Sequence, residues 1–280
     1  MTPAILLQFL LTTLAVGTPL LLAALGELIG ERAGVLNIGL EGMMLAGAWA
    51  GVAAGFATHN GGVGLIGAIG TGMAMAAIFA VLAITLRADP IVVGTGLNLF
   101  ALGLTGVANR SMIAKFGVYH AAVLPEWTFS LAGALLAPLL YWGFRKTRLG
   151  LKLRAVGEHP EAADAAGVAV NRVRWLATLC NGALCGAAGA FLTMANTHDF
   201  GEGGTAGRGF IALAIVIFGR WNPFGAVAAA LLFGAADAAQ ATLQTRFDPR
   251  FYPLILALPY VLTLLTLAGF TGTAKAPAAL

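Results

Sequence analysis

"GEHPEAADAAGVAVNR", Gly157 to Arg172, is a polar, small-residue run in a chain of 280 residues that is 59% apolar and only 10% charged. Pro160 reads as a first helical residue, because its missing N–H would be unsatisfied there in any case. Glu161 and Asp164 follow in the first turn, where the helix dipole favours negative charge. Gly167 supplies a left-handed stop. The spacing therefore predicts a helix of about two turns over "PEAADAAG". Such a helix is too short to be stable alone and too polar for lipid. It is expected at a membrane surface, stabilised by a partner whose groove would take its slim alanine face. The alternative is a solvated loop helix with no role.

Outward from this stretch the sequence is that of a membrane protein. Mean hydropathy is +0.87, and soluble domains carry about 25% charged residues. Runs of membrane-crossing length, about 17–25 residues, fall near 5–26, 34–57, 63–86, 91–109, 128–144, 175–196, 224–244 and 252–270, with a shorter one at 210–218. The first has no basic segment before it and is too long for a cleaved signal peptide, so it reads as a span. The expected fold is an all-α polytopic bundle of eight or nine transmembrane helices in one domain, 1–280. If the loop 145–174 is cytoplasmic, 11 of the 16 Lys and Arg fall inside and only Arg110, Lys115, Arg208, Arg246 and Arg250 outside. The positive-inside rule selects that orientation, with the N-terminus outside and the C-terminus in the cytoplasm. An odd number of passes follows. It makes 204–218 a pass and "GRWNPFG" (219–225) a tight cytoplasmic turn. The net charge of +4 is a topology signal and gives no indication of nucleic acid.

Polar side chains inside spans are costly and usually face protein or water. Asn37 and Glu41 are four apart and share one helix face; Asn98, Asn181 and Asp237 lie within later spans. Each is a candidate to line a polar translocation pathway. The competing reading is structural: such side chains would hold backbone where glycine breaks a helix, as Gly39 and Gly42 do around Glu41. The glycines at 47, 51 and 55, and at 182 and 186, repeat at four-residue spacing and suit close helix packing. Cys180 and Cys185 read as small buried hydrophobes. There is no G-x-x-x-x-G-K-[ST], H-E-x-x-H, C-x-x-C or G-x-S-x-G, so no catalytic residue, cofactor or metal site is expected on this chain.

"RAVGEHPEAADAAGVAVNRVR" resembles the coupling-helix loop of ABC importer permeases of the ribose and branched-chain amino acid type. "GERAGVLNIGLEGMMLAGAWAG" (30–51) is similar to that family's second span, closest to its nucleoside and simple-sugar branch. "GTGLNLFALGLTG" (94–106) and "GRGFIALAIVIFGRWNPFGAVAAALLFGAADA" (207–238) are similar too. The resemblance implies a membrane permease that moves a small polar solute by alternating access in the cell inner membrane. It implies an ATP-binding ABC subunit, a second permease copy or paralogue, and an extracytoplasmic substrate-binding protein as partners. Carried onto this sequence, Glu158, Pro160, Glu161, Ala162, Ala163 and Gly167 would form the ATPase-coupling element. The outer-loop charges, among them Arg110, His120, Asp199, Glu202 and Arg208, would meet the binding protein. Nucleosides are the expected cargo, with a simple sugar such as ribose as the alternative. An ion-gradient-driven transporter and a membrane scaffold are the readings from other classes. The first lacks two similar halves; the second leaves the polar residues within spans unexplained.

Overall fold

A computed structural model describes residues 3–244, 250 and 276–280. Among the described residues every regular element is helical: α1 Pro3–Arg32, α2 Leu40–Thr58, α3 Gly61–Ala80, α4 Pro90–Phe116, α5 Glu126–Lys146, α6 Arg148–Glu158, α7 Pro160–Ala165, α8 Val170–Ala190, α9 Arg208–Phe218 and α10 Pro223–Gln244. Wider π turns continue α3 to Thr85 and α8 to Thr197. Seven of these helices are long and apolar enough to cross a membrane: α1, α2, α3, α4, α5, α8 and α10. The eighth expected run, 252–270, lies outside the described residues. At 1.5 Å per residue α9 is about 16 Å long, half of a hydrocarbon core of about 30 Å.

Local chemistry starts and stops these helices where the sequence provides for it. Asn60 caps α3 by accepting from Gly62 N at 2.8 Å. Asp89 does the same for Ile91 N at 2.8 Å, with Pro90 at the first helical position. Four helix ends differ from hydropathy by five residues or more: α4 runs to Phe116, past 109, α8 starts at Val170, before 175, and the other two flank the first break. The first helix runs on through Glu27 and Glu31 to Arg32, and the second begins at Leu40, not near 34. The segment between them is irregular, with Gly34 at φ +73°.

The centre of the bundle is α1, α2, α3 and α8, in contact through glycine. A Cβ on Gly72 would stand 2.1 Å from Gly182 O, one on Gly47 2.6 Å from Gly186 Cα, and one on Gly189 2.0 Å from Met44 O. Lipid offers helices no hydrophobic reason to associate, so this backbone-to-backbone approach supplies the dispersion contacts that hold them. The α4 face carrying Leu99, Phe100, Leu104 and Val107 is exposed, as is the first half of α1 at Leu7, Leu10 and Leu11. Those surfaces fit contact with lipid. Gly189→Ala is expected to cost about 1–3 kcal/mol by overpacking, read as a lower Tm of the detergent-solubilised protein. Gly70→Ala, which meets nothing within 4 Å, should leave the Tm unchanged or slightly raised.

Candidate functional site

Three features stand out: a polar helical hairpin, a buried polar knot where α1 breaks into α2, and a cavity under the loop before α9. The hairpin is α6 and α7. Thr147 caps α6 by accepting from Gly150 N at 3.0 Å, and His159 separates the two helices. α7 has the expected Pro160 start, and Gly167 at φ +81° closes it. Gly167 N donates to Asp164 O at 2.8 Å, and Val168 N to Ala163 O at 3.0 Å. This is the hydrogen-bond pattern that terminates helices on a left-handed glycine. Glu158, Glu161, Ala162 and Gly167 are exposed, Pro160 is half-buried, and Ala163 turns inward and is buried. An apolar groove runs between α6 and α7, lined by Leu151, Ala155, Ala162, Ala166 and Val168, with Arg148, Lys152 and Glu158 among its borders.

The knot answers a backbone problem. Residues 33–39 leave the helical ladder, and each freed group inside an apolar bundle needs a partner. Asn37 N donates to Glu27 Oε1 at 2.9 Å, and Gly39 N to Asn37 Oδ1 at 2.9 Å. Asn98 reaches over from α4, accepting from Gly42 N at 2.8 Å and donating to Ile38 O at 2.9 Å. Asn181 of α8 donates to the second oxygen of Glu27 at 2.6 Å, and Arg174 Nε donates to Ala33 O at 3.3 Å. Asn37 and Asn98, expected as candidates for the pathway, here spend their amides on backbone or, for Asn37 Nδ2, on Met43 Sδ. Glu27 and Glu31, fully buried on α1, escaped the sequence reading, which ended the first span at 26. The signal available was their i, i+4 spacing, which puts them on one helix face, although Pro19 and Gly26 stand before them.

Glu41 serves a second break. In α2 it is the second residue, not one deep in a span. Its Oε1 accepts from Thr205 Oγ1 at 2.5 Å and Gly207 N at 2.8 Å, and its Oε2 from Gly209 N at 2.7 Å. Gly209 permits this, since a Cβ there would stand 2.4 Å from Glu41 N. The carboxylate thus holds the start of α9 and the loop before it against α2. Between α2, the π turn of α8 and this loop lies a cavity of about 390 Å³, lined by Leu45, Ala48, Thr193, Asn196, Thr197, Asp199, Phe200, Thr205 and Arg208 among others. Small-ligand sites have volumes of about 300–1,000 Å³ and mix apolar walls with a few polar groups. Arg208 was expected on an outer loop. It is instead half-buried at the first turn of α9, donating to Gly204 O and Thr205 O at 3.3 Å each. Asp237 of α10 lies within electrostatic reach of it. The structure therefore gathers Asn37, Glu41 and Asn98 around the two breaks, with Asp237 of α10 within electrostatic reach of Arg208 at the second.

Near the cavity two exposed contacts tie the surface: Arg110 of α4 forms an ion pair with Glu202 at 3.1 Å, and His120 Nδ1 hydrogen-bonds with Asp199 Oδ1 at 2.8 Å. Tyr119 donates to Asn109 Oδ1 at 2.5 Å, and burial pushes its phenol above the usual range. Arg246 lies outside the described residues. No group of three or more His, Cys, Asp or Glu among the described residues is placed to hold a metal ion.

Residues 9–267 match a family described as the branched-chain amino acid transport system permease component. The chain belongs to that family. The permease is 37% identical over 298 aligned residues to a guanosine ABC transporter permease of Bacillus subtilis, covering 95% of this chain and 93% of the relative. It is 35% identical to a nucleoside ABC transporter permease of Lactococcus lactis over 94% and 92% of the two chains. A permease of Haloferax volcanii named for glucose is 40% identical over 83% of this chain and 77% of its own. No solved structure gives a significant match. The permease is a multi-pass protein of the cell inner membrane, the transmembrane subunit of an ABC transporter.

Glu41→Ala removes the acceptor for two backbone donors and one hydroxyl, at about 1–3 kcal/mol for each donor left buried and unpaired. The expected outcome is faster hydrogen exchange across 203–210 than in wild type, measured by mass spectrometry, with exchange in α3 unchanged.

Proposed function

We propose that this permease imports nucleosides, taking them from an extracytoplasmic binding protein and releasing them in the cytoplasm as a separate ATP-binding subunit hydrolyses ATP. The observation that carries the cargo is the breadth of the two nucleoside-named matches, each above 90% of both chains. The cavity supports it. Its threonine, asparagine and arginine side chains could exchange for the water on ribose hydroxyls, and Phe200 offers an aromatic face to a base. The glucose-named relative, at higher identity over less of its length, favours a second reading, a simple-sugar permease at the same cavity.

In this reading the α6–α7 hairpin sits on the cytoplasmic side and docks the ATPase through Glu158, Pro160, Glu161, Ala162 and Gly167. Ala163 holds the hairpin from beneath. The orientation follows from the Lys and Arg asymmetry. α9 together with its preceding loop makes one pass, so that nine passes carry the chain from an outside N-terminus to a cytoplasmic C-terminus. A second permease, identical or paralogous, would complete the pathway, with Glu41, Asn37, Asn98 and Asp237 supporting its walls. Interrupted helices with a polar cavity at their break are the usual construction of solute sites at membrane depth.

The test is uptake by cells that carry the whole transporter. Labelled guanosine uptake is expected to exceed that of labelled glucose by at least about tenfold, since a site that hydrogen-bonds one solute rejects another that leaves its groups unpaired. Uptake should stop on ATP depletion and survive an ionophore. Preferred glucose uptake would establish the sugar reading, and ionophore-sensitive, ATP-independent uptake would overturn the importer.

A further inference from the structure

The turn between α9 and α10 is strained in a way its sequence does not require. Arg220 and Trp221 both adopt left-handed φ, +56° and +53°. A bulky residue pays heavily for that conformation, and two in succession persist only where surroundings impose them. What imposes it is the last turn of α1. The indole Nε1 of Trp221 donates to Glu31 Oε2. Its carbonyl accepts from Arg32 twice, at 3.0 Å from Nε and 2.5 Å from Nη2. Trp221 is buried, Glu31 almost completely so, and the Glu31 carboxyl lies buried beside that of Glu27. The turn is thus gripped through both side chain and backbone by two consecutive residues of another helix.

That same turn of α1 touches the root of the hairpin. A Cβ on Gly157 would stand 2.3 Å from Arg32 O, so the α6 terminus lies directly on the backbone of Arg32. The guanidinium of Arg32 lies within electrostatic reach of Glu158. Ala279 N donates to Gly157 O at 2.9 Å. At its far end, α9 begins with Arg208 in the cavity wall and Gly209 held by Glu41. A continuous path therefore runs from hairpin to cavity through Gly157, Arg32, Trp221 and the rigid length of α9. Its joints are backbone contacts and hydrogen bonds, so a displacement at one end is not absorbed by loose side chains.

We propose that Glu31 and Arg32 are positioning residues that make α9 move with the α6–α7 hairpin, by their grip on Trp221. The inference rests on the importer reading of the hairpin. It adds the route by which motion at the hairpin reaches the solute cavity. Backbone strain of this kind collects in switching elements.

The test uses the whole complex in proteoliposomes, permease with its ATPase and binding protein, in wild type and in Trp221→Phe, Glu31→Leu and Glu31→Gln. Phe keeps the ring and loses the indole donor. Leu keeps the volume and loses the acceptor. Gln keeps an acceptor for the indole and is the conservative rescue. ATP-driven uptake per ATP hydrolysed is expected to fall about tenfold in Trp221→Phe and Glu31→Leu, inside the usual range for coupling between two sites, and to stay near wild type in Glu31→Gln. Spin labels at Ala165 on the hairpin and Phe210 on α9, both exposed, give the second readout, in a Cys180→Ala background. Vanadate trapping should shift both labels relative to α3 in wild type, but only the Ala165 label in Trp221→Phe. That separates lost coupling from lost stability, because a merely structural role leaves the two shifts linked. Wild-type uptake and label motion in both Trp221→Phe and Glu31→Leu would overturn the relay. A wild-type complex that imports nothing would instead contradict the importer reading itself.

Discussion

A helix that breaks inside an apolar bundle frees N–H and C=O groups that have no water to turn to, and side chains must take them up. This permease breaks its helices twice near its centre, between α1 and α2 and before α9, and answers each break with a buried or half-buried carboxylate. Glu27 takes Asn37 N while Asn181 holds its other oxygen. Glu41 takes Gly207 N, Gly209 N and the Thr205 hydroxyl. Carboxyl groups that would be unfavourable as passengers become the means by which irregular backbone survives in the membrane.

The first break brings the end of α1 to the base of the hairpin and to the α9–α10 turn together. The second folds a glycine-rich loop back into the bundle and opens a cavity beside it. The glycine contacts among α1, α2, α3 and α8 form a tight block against which these parts can shift. Close packing of that kind is stiff and changes by discrete steps. In the proposed reading, a small docking event at the exposed hairpin then has an effect at the cavity many residues away.

Much of this was legible in the sequence where signals are local. Pro160, Glu161, Asp164 and Gly167 delimit α7 almost to the residue, because capping chemistry is decided within one turn. Seven expected spans correspond to seven helices of crossing length. What escaped was decided by tertiary contacts. Hydropathy ends the first span at 26 because Glu27 and Glu31 read as solvated, while in the fold Asn181 and Trp221 supply their partners from α8 and the α9–α10 turn. α6 was hidden because Arg148, Lys152 and Arg154 read as topology charges, although Leu149, Leu151 and Leu153 alternate with them along the same helix. Arg208 looked like an outer-loop charge because nothing local says that its loop turns back into the bundle. The expected break beside Glu41 exists, but it falls before that residue, at 33–39, where Gly34 provides the left-handed backbone.

The central claim is that an otherwise apolar permease exposes the α6–α7 hairpin to receive an ATPase. It is tested most directly by purifying the chain from its native membranes in mild detergent, in wild type and with Glu161→Arg. A soluble P-loop ATPase that co-purifies with wild type and is lost from the variant is the predicted result. Absence of any ATPase from the wild-type preparation, or its equal recovery with both chains, would contradict the account.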